Sequence, residues 1–123
     1  MKLRFRKNSL RLRVNRREAE RLSSGAILEE EIRFPENARI SYVLKTSSDP
    51  SPGVCFRDGV IRVTAPEALV RDWAAGDSVG IYFEVPADSA VLQVAIEKDL
   101  ECIDIPAEER DPDAFPRSEG KNC

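Results

Sequence analysis

The chain has 123 residues, enough for one hydrophobic core and too few for two independent ones. It contains no histidine, which excludes a Ser/His or Cys/His nucleophile and leaves no imidazole for a zinc site. The net charge of -3 conceals an imbalance, because residues 1–21 hold nine Lys/Arg against two Asp/Glu and the remainder is acidic.

Leu3 and Phe5 alternate with Lys2, Arg4 and Arg6, and after Lys7-Asn8 the alternation resumes with Leu10, Leu12 and Val14 against Arg11 and Arg13. Period-two runs on either side of a two-residue turn predict a hairpin. Its register sets Phe5 across from Leu10, Leu3 across from Leu12 and Arg4 across from Arg11. Asn8 is the residue expected to take the left-handed conformation. The apolar residues then face in, and Lys2, Arg4, Arg6, Arg11 and Arg13 face out.

Asn15 is a candidate N-cap with Glu18 at the capping-box position, for a short helix that Gly25 ends and whose inner face is Ala19 and Leu22. Leu28, Ile32 and Phe34 follow in a strand interrupted at Glu30. A turn at Pro35-Glu36-Asn37 leads to a strand with Ile40, Tyr42 and Leu44 on one side.

A linker-like stretch ends at Gly53, and the pattern then starts again. A shift of 51 residues matches Leu3 with Val54, Phe5 with Phe56, Leu12 with Val63, Leu22 with Trp73, Gly25 with Gly76, Leu28 with Val79 and Ile32 with Phe83. One extra residue in the second copy's turn pairs Ile40, Tyr42 and Leu44 with Leu92, Val94 and Ile96. In the second copy Asp58-Gly59 reads as a type I′ turn and Pro66 as the first helical residue. Leu69 and Trp73 share a face of that helix. Phe5, Phe56, Phe83 and Trp73 all read as core.

The expected fold is α+β and mostly β, with two tandem ββαββ repeats. The boundaries are a single domain over 1–98 (repeat one 2–46, linker 47–53, repeat two 54–98) and an irregular acidic tail over 99–123.

Ile61-Arg62-Val63-Thr64-Ala65-Pro66-Glu67, then Gly76-Asp77-Ser78-Val79 and a strand pair, resembles the swapped-hairpin fold of AbrB-type regulators and antitoxins. The first copy departs from that pattern, with Asn15 in place of the proline and Ala26 in place of the aspartate. Two copies in one chain are similar in layout to MraZ proteins, although the Asp-x-x-x-Arg signature is missing. The resemblance implies one interleaved barrel, an intramolecular pseudo-dimer, whose basic first strands contact DNA phosphates. The whole chain, including Asp111-Pro112-Asp113-Ala114-Phe115-Pro116, also resembles a bacterial family of small proteins with no assigned function, which implies no activity.

Arg4 opposite Arg11 costs stability unless an anion sits nearby, so Lys2, Arg4, Arg6, Arg11 and Arg13 are the candidate nucleic-acid-binding residues. The competing explanation is internal neutralisation by Glu29, Glu31 or the acidic tail. A protein-interaction module using the tail or an exposed sheet face is the alternative function. No catalytic residue, metal ligand or cofactor is expected, and Cys55, Cys102 and Cys123 lack paired spacing. No apolar run reaches the roughly 20 residues of a membrane span. The chain is expected to be cytoplasmic, off the membrane, and a monomer or weak homodimer.

Overall fold

A computed structural model of the chain describes residues 1–100, 112, 113 and 115. Its strands are β1 (Lys2–Arg6), β2 (Ser9–Val14), β3 (Leu28–Arg33), β4 (Arg39–Ser47), β5 (Gly53–Arg57), β6 (Val60–Pro66), β7 (Gly80–Ala87) and β8 (Ala90–Lys98). Helix α1 (Arg16–Ser23) follows β2, and α2 (Glu67–Ala75) follows β6. Each half of the chain is a ββαββ unit.

The first hairpin forms in the register that the sequence dictates, with Leu3 opposite Leu12, Arg4 opposite Arg11 and Phe5 opposite Leu10. The left-handed residue of its turn is Lys7 (φ 52°), not Asn8. Asn8 instead donates from Nδ2 to the Val91 carbonyl, at 2.8 Å. In the second hairpin both turn residues are left-handed, Asp58 at φ 53° and Gly59 at φ 74°, as a type I′ turn requires.

Helix α1 begins with a full capping box, since the Glu18 N–H donates to Asn15 Oδ1 and the Asn15 N–H donates to Glu18 Oε1, both at 2.9 Å. It ends in a Schellman motif, with Gly25 at φ 94° donating to the Leu22 carbonyl and Ala26 donating to that of Arg21. Helix α2 starts one residue later than expected. Pro66 closes β6 in an extended conformation (ψ 137°), and Glu67 is the first helical residue. Trp73 is 2% exposed, but its apolar partner is Val70, while Leu69 is 42% exposed. Residues 69 and 70 are both apolar and about 100° apart on the helix, and docking of α2 buries the second of them.

The strands form two sheets, in the orders β1-β2-β8-β7 (sheet one) and β3-β4-β6-β5 (sheet two). Each takes one hairpin from each repeat, joined by a parallel pairing, β2 with β8 and β4 with β6. Exchanging the repeats converts one strand order into the other. A single core of inward residues, including Leu12, Leu22, Leu44, Val63, Val70, Trp73 and Ile96, draws on both sheets and both helices.

The expected swapped-hairpin barrel is not formed, and the AbrB-like assignment falls with it. Among the described residues no strand pairing joins the two sheets, so β1, β7, β3 and β5 remain open edges. Their composition explains why. The short β1 alternates cations, β3 carries Glu29, Glu30 and Glu31 in succession, and β7 contains Pro86, which has no N–H to give to a ladder. Open edges also expose Phe5 (62%) and Phe56 (64%), which lie on the inward side of edge strands and are not core.

The equivalence between repeats also shifts in β7. Ile81 pairs with Ile96 as Leu28 pairs with Leu44, so Leu28 corresponds to Ile81 and not to Val79. Two additional residues precede β7 and one fewer lies in the turn that follows it. A slip of two keeps every side chain on its face.

Candidate functional site

The strand registers align the outward residues of sheet one in rows. One row is Lys2, Arg13, Glu97 and Gly80; the next is Arg4, Arg11, Ala95 and Tyr82; the third is Arg6, Ser9, Gln93 and Glu84. All five candidate cations therefore share one face. Around Arg4, Arg6, Ser9 and Arg11 there is a small hollow of about 60 Å³.

Neutralisation of this face is internal in part, and it comes from an unexpected residue. Glu97, 9% exposed, accepts from Arg11 Nε at 3.0 Å and lies 3.6 Å from Arg13 Nε. Its other oxygen accepts from the Tyr82 hydroxyl at 2.6 Å. Lys2 Nζ pairs with Asp99 at 2.8 Å. Glu31 turns elsewhere, to Arg33 (2.9 Å) and Arg39 (3.6 Å). No carboxylate among the described residues pairs with Arg4 or Arg6. Glu29 pairs with none of the five cations among the described residues, and the remaining carboxylates of the tail lie outside them, apart from Asp113.

Glu97 and Tyr82 are the participants that the sequence reading missed. Tyr82 had a signal, since it lies between inward Ile81 and Phe83 and two residues after Gly80 on its own face. Its phenol occupies the space a Gly80 side chain would need, because a Cβ there would come within 2.8 Å of Tyr82 Cζ and its hydroxyl oxygen. An aromatic covering a strand glycine is a known stabilising pair.

A second charged cluster sits where β1 approaches β3. The Met1 ammonium pairs with Glu18 and, at 3.3 Å, with Glu30. Tyr42 donates from its hydroxyl to the Met1 carbonyl at 3.2 Å. Burial alone pushes the ammonium pKa down, but hydrogen bonding and charge from Glu18, then Glu30, outweigh it and raise the value above 8.0. For Glu18, burial pushes up and is outweighed by hydrogen bonds from the ammonium and the Asn15 N–H, so its carboxyl lies below the usual 4.5. Burial, with the charges of Glu30 and Glu18 behind it, raises the Tyr42 phenol. This cluster ties the start of β1 to α1 and β3.

Cys55 is exposed and opposite Arg62, as its register requires. Cys102 and Cys123 lie outside the described residues. Among the described residues no group of three Cys, Asp or Glu is placed to hold a metal. None of their helices is long and apolar enough to cross a membrane.

The fold and this face define an α+β protein of two ββαββ repeats with a cationic outer face on one of its sheets. Residues 1–119 match the model of a family of unknown function, DUF7009, and the chain belongs to that family. No curated protein and no solved structure matches it. The family match lends no support to the AbrB or MraZ resemblance, and none to a bacterial origin.

Proposed function

We propose that the chain is a non-enzymatic binding module that takes the phosphate backbone of a nucleic acid on the outer face of sheet one, through Arg4, Arg6 and Arg11. The observation that carries this reading is that the described residues neutralise the face only in part. Glu97 and Asp99 answer Arg11, Arg13 and Lys2, while Arg4 stands across the ladder from Arg11 and beside Arg6 with no carboxylate of its own among the described residues. Like charges directly opposite each other favour an anion, and a planar guanidinium suits bidentate contact with phosphate. Lys2 and Arg13 serve as supporting cations at the rim.

The test is a titration of the full chain with generic DNA at about 50 and about 200 mM salt. Binding is expected to weaken steeply with salt. Arg4→Gln with Arg6→Gln is expected to reduce the slope of log K against log salt by about two, one for each lost phosphate contact. Arg57→Gln with Arg62→Gln, on the outer face of sheet two, is the control and leaves the slope unchanged. Absence of binding, or binding indifferent to salt, sinks the reading. Absence of binding leaves the protein-interaction module, which the exposed Phe5 and Phe56 at open sheet edges favour.

A further inference from the structure

Resting on that reading of the arginines, we infer that the outer face of sheet one is a platform for single-stranded nucleic acid, with Tyr82 stacking a base while Arg4, Arg6 and Arg11 hold the backbone. Tyr82 is 61% exposed, yet it is fixed at its far end by the 2.6 Å hydrogen bond to Glu97 and by its position over Gly80. The ring thus lies along the sheet and leaves accessible surface to solvent. An aromatic held this way loses little rotamer freedom when a base stacks on it.

Between Tyr82 and Arg11 the row holds only Ala95, whose small side chain opens a cavity of about 340 Å³. That volume falls within the range of small-ligand sites. Gln93, Ser9 and Glu84 at its border supply amide, hydroxyl and carboxylate groups for a base edge. Arg4 lies three strand spacings from Tyr82, about 14 Å, so stacking and phosphate contacts fall side by side on one chain of nucleotides. Glu97 positions both functions, holding the Tyr82 hydroxyl with one oxygen and Arg11 with the other. Bases in a duplex hide their faces in the stack, whereas those of a single strand are open to an aromatic.

The experiment measures binding of the full chain to a mixed-sequence DNA strand of about 12 nucleotides, to its RNA counterpart and to the matching DNA duplex. A single strand is expected to bind more tightly than the duplex, and the preference between DNA and RNA identifies the source. Tyr82→Ala is expected to weaken strand binding by about tenfold, leaving duplex binding and the salt slope unchanged. Tyr82→Phe keeps the ring and is expected to retain most of the affinity. Equal binding of strand and duplex, untouched by Tyr82→Ala, overturns the platform and leaves the arginine reading standing. Equal loss for strand and duplex also overturns it, because Tyr82 would then act through Glu97 and Arg11. Absence of binding to all three probes overturns the arginine reading and this inference together.

Discussion

Across the inner face of sheet one runs Leu3, Leu12, Ile96 and Ile81, and at the equivalent positions of sheet two run Val54, Val63, Leu44 and Leu28. The outer faces share little beyond arginines at equivalent positions, such as Arg11 and Arg62. Where sheet one has Arg4, Arg11, Ala95 and Tyr82, sheet two has Cys55, Arg62, Val43 and Glu29. The same backbone thus repeats its core and varies its surface. The contrast extends to the charged cluster at β1: Glu18, Glu30 and Tyr42 stand where the second repeat has Leu69, Phe83 and Val94. Scaffold positions are set by burial, which both halves need, and the face proposed to bind nucleic acid lies where the halves differ.

The most severe way to break the likeness is to truncate the same core position in each helix. Leu22 and Trp73 are equivalent and both buried. Trp73→Ala is expected to cost about 3–5 kcal/mol and Leu22→Ala about 2–5 kcal/mol in denaturant titration. Leu69→Ala, one turn from Trp73 but exposed, is expected to cost under about 0.5 kcal/mol. A loss at Leu69 as large as that at Trp73 would mean that α2 docks differently.

The two hairpin turns provide a sharper contrast of intermediate size. Gly59 is left-handed, and a Cβ there would meet the Arg39 carbonyl oxygen at 3.0 Å. Gly59→Ala is therefore expected to cost about 1–2 kcal/mol. Its counterpart Asn8 is not left-handed, and Asn8→Ala removes one exposed hydrogen bond, a loss of about 0.5 kcal/mol. Equal costs at the two sites would show that the turns are of one type.

The smallest effect separates the repeats by pH. The Met1 ammonium has a raised pKa, so its ion pair is fully present below the usual 8.0 and is lost as pH rises through the folded value. The lowered Glu18 gives stability that is present above 4.5 and lost as pH falls through its folded value. Stability is expected to fall by about 1 kcal/mol or less as pH rises from about 7 through the folded value of the ammonium. N-terminal acetylation is expected to remove that slope. Glu18→Leu, which installs the residue of the second repeat, is expected to remove most of it. A slope that survives both changes would assign the titration to another group.

Much of the local structure was legible. Lys7-Asn8 and Asp58-Gly59 placed the hairpin registers, and Asn15 with Glu18 placed the start of α1, because each depends on neighbours a few residues apart. What depended on the packing of distant strands was not legible. Apolar alternation tells which side of a strand is inward, but not whether an edge finds a partner, so Phe5 and Phe56 looked buried and the sheets looked closed. A slip of two in β7 leaves alternation unchanged and so could not be seen. The five cations could be placed on one face because their hairpin is local. Glu97, the residue that answers two of them, arrives from β8 more than eighty residues along the chain.

The exchange of hairpins between repeats also imposes an order on synthesis. All four strands of sheet two lie within residues 28–66, so that sheet can assemble as the chain emerges from the ribosome. Sheet one joins the two ends of the domain, and β2 must wait for β8 before its inner edge is covered. Closing that long loop comes late and slows folding relative to a chain whose repeats pair within themselves. In refolding followed by hydrogen exchange, amides of β4 and β6 are expected to gain protection before those of β2 and β8. During that interval the arginine hairpin is a nascent, unpaired edge, and the alternating cations of β1 and β2 keep it from pairing with neighbouring nascent chains.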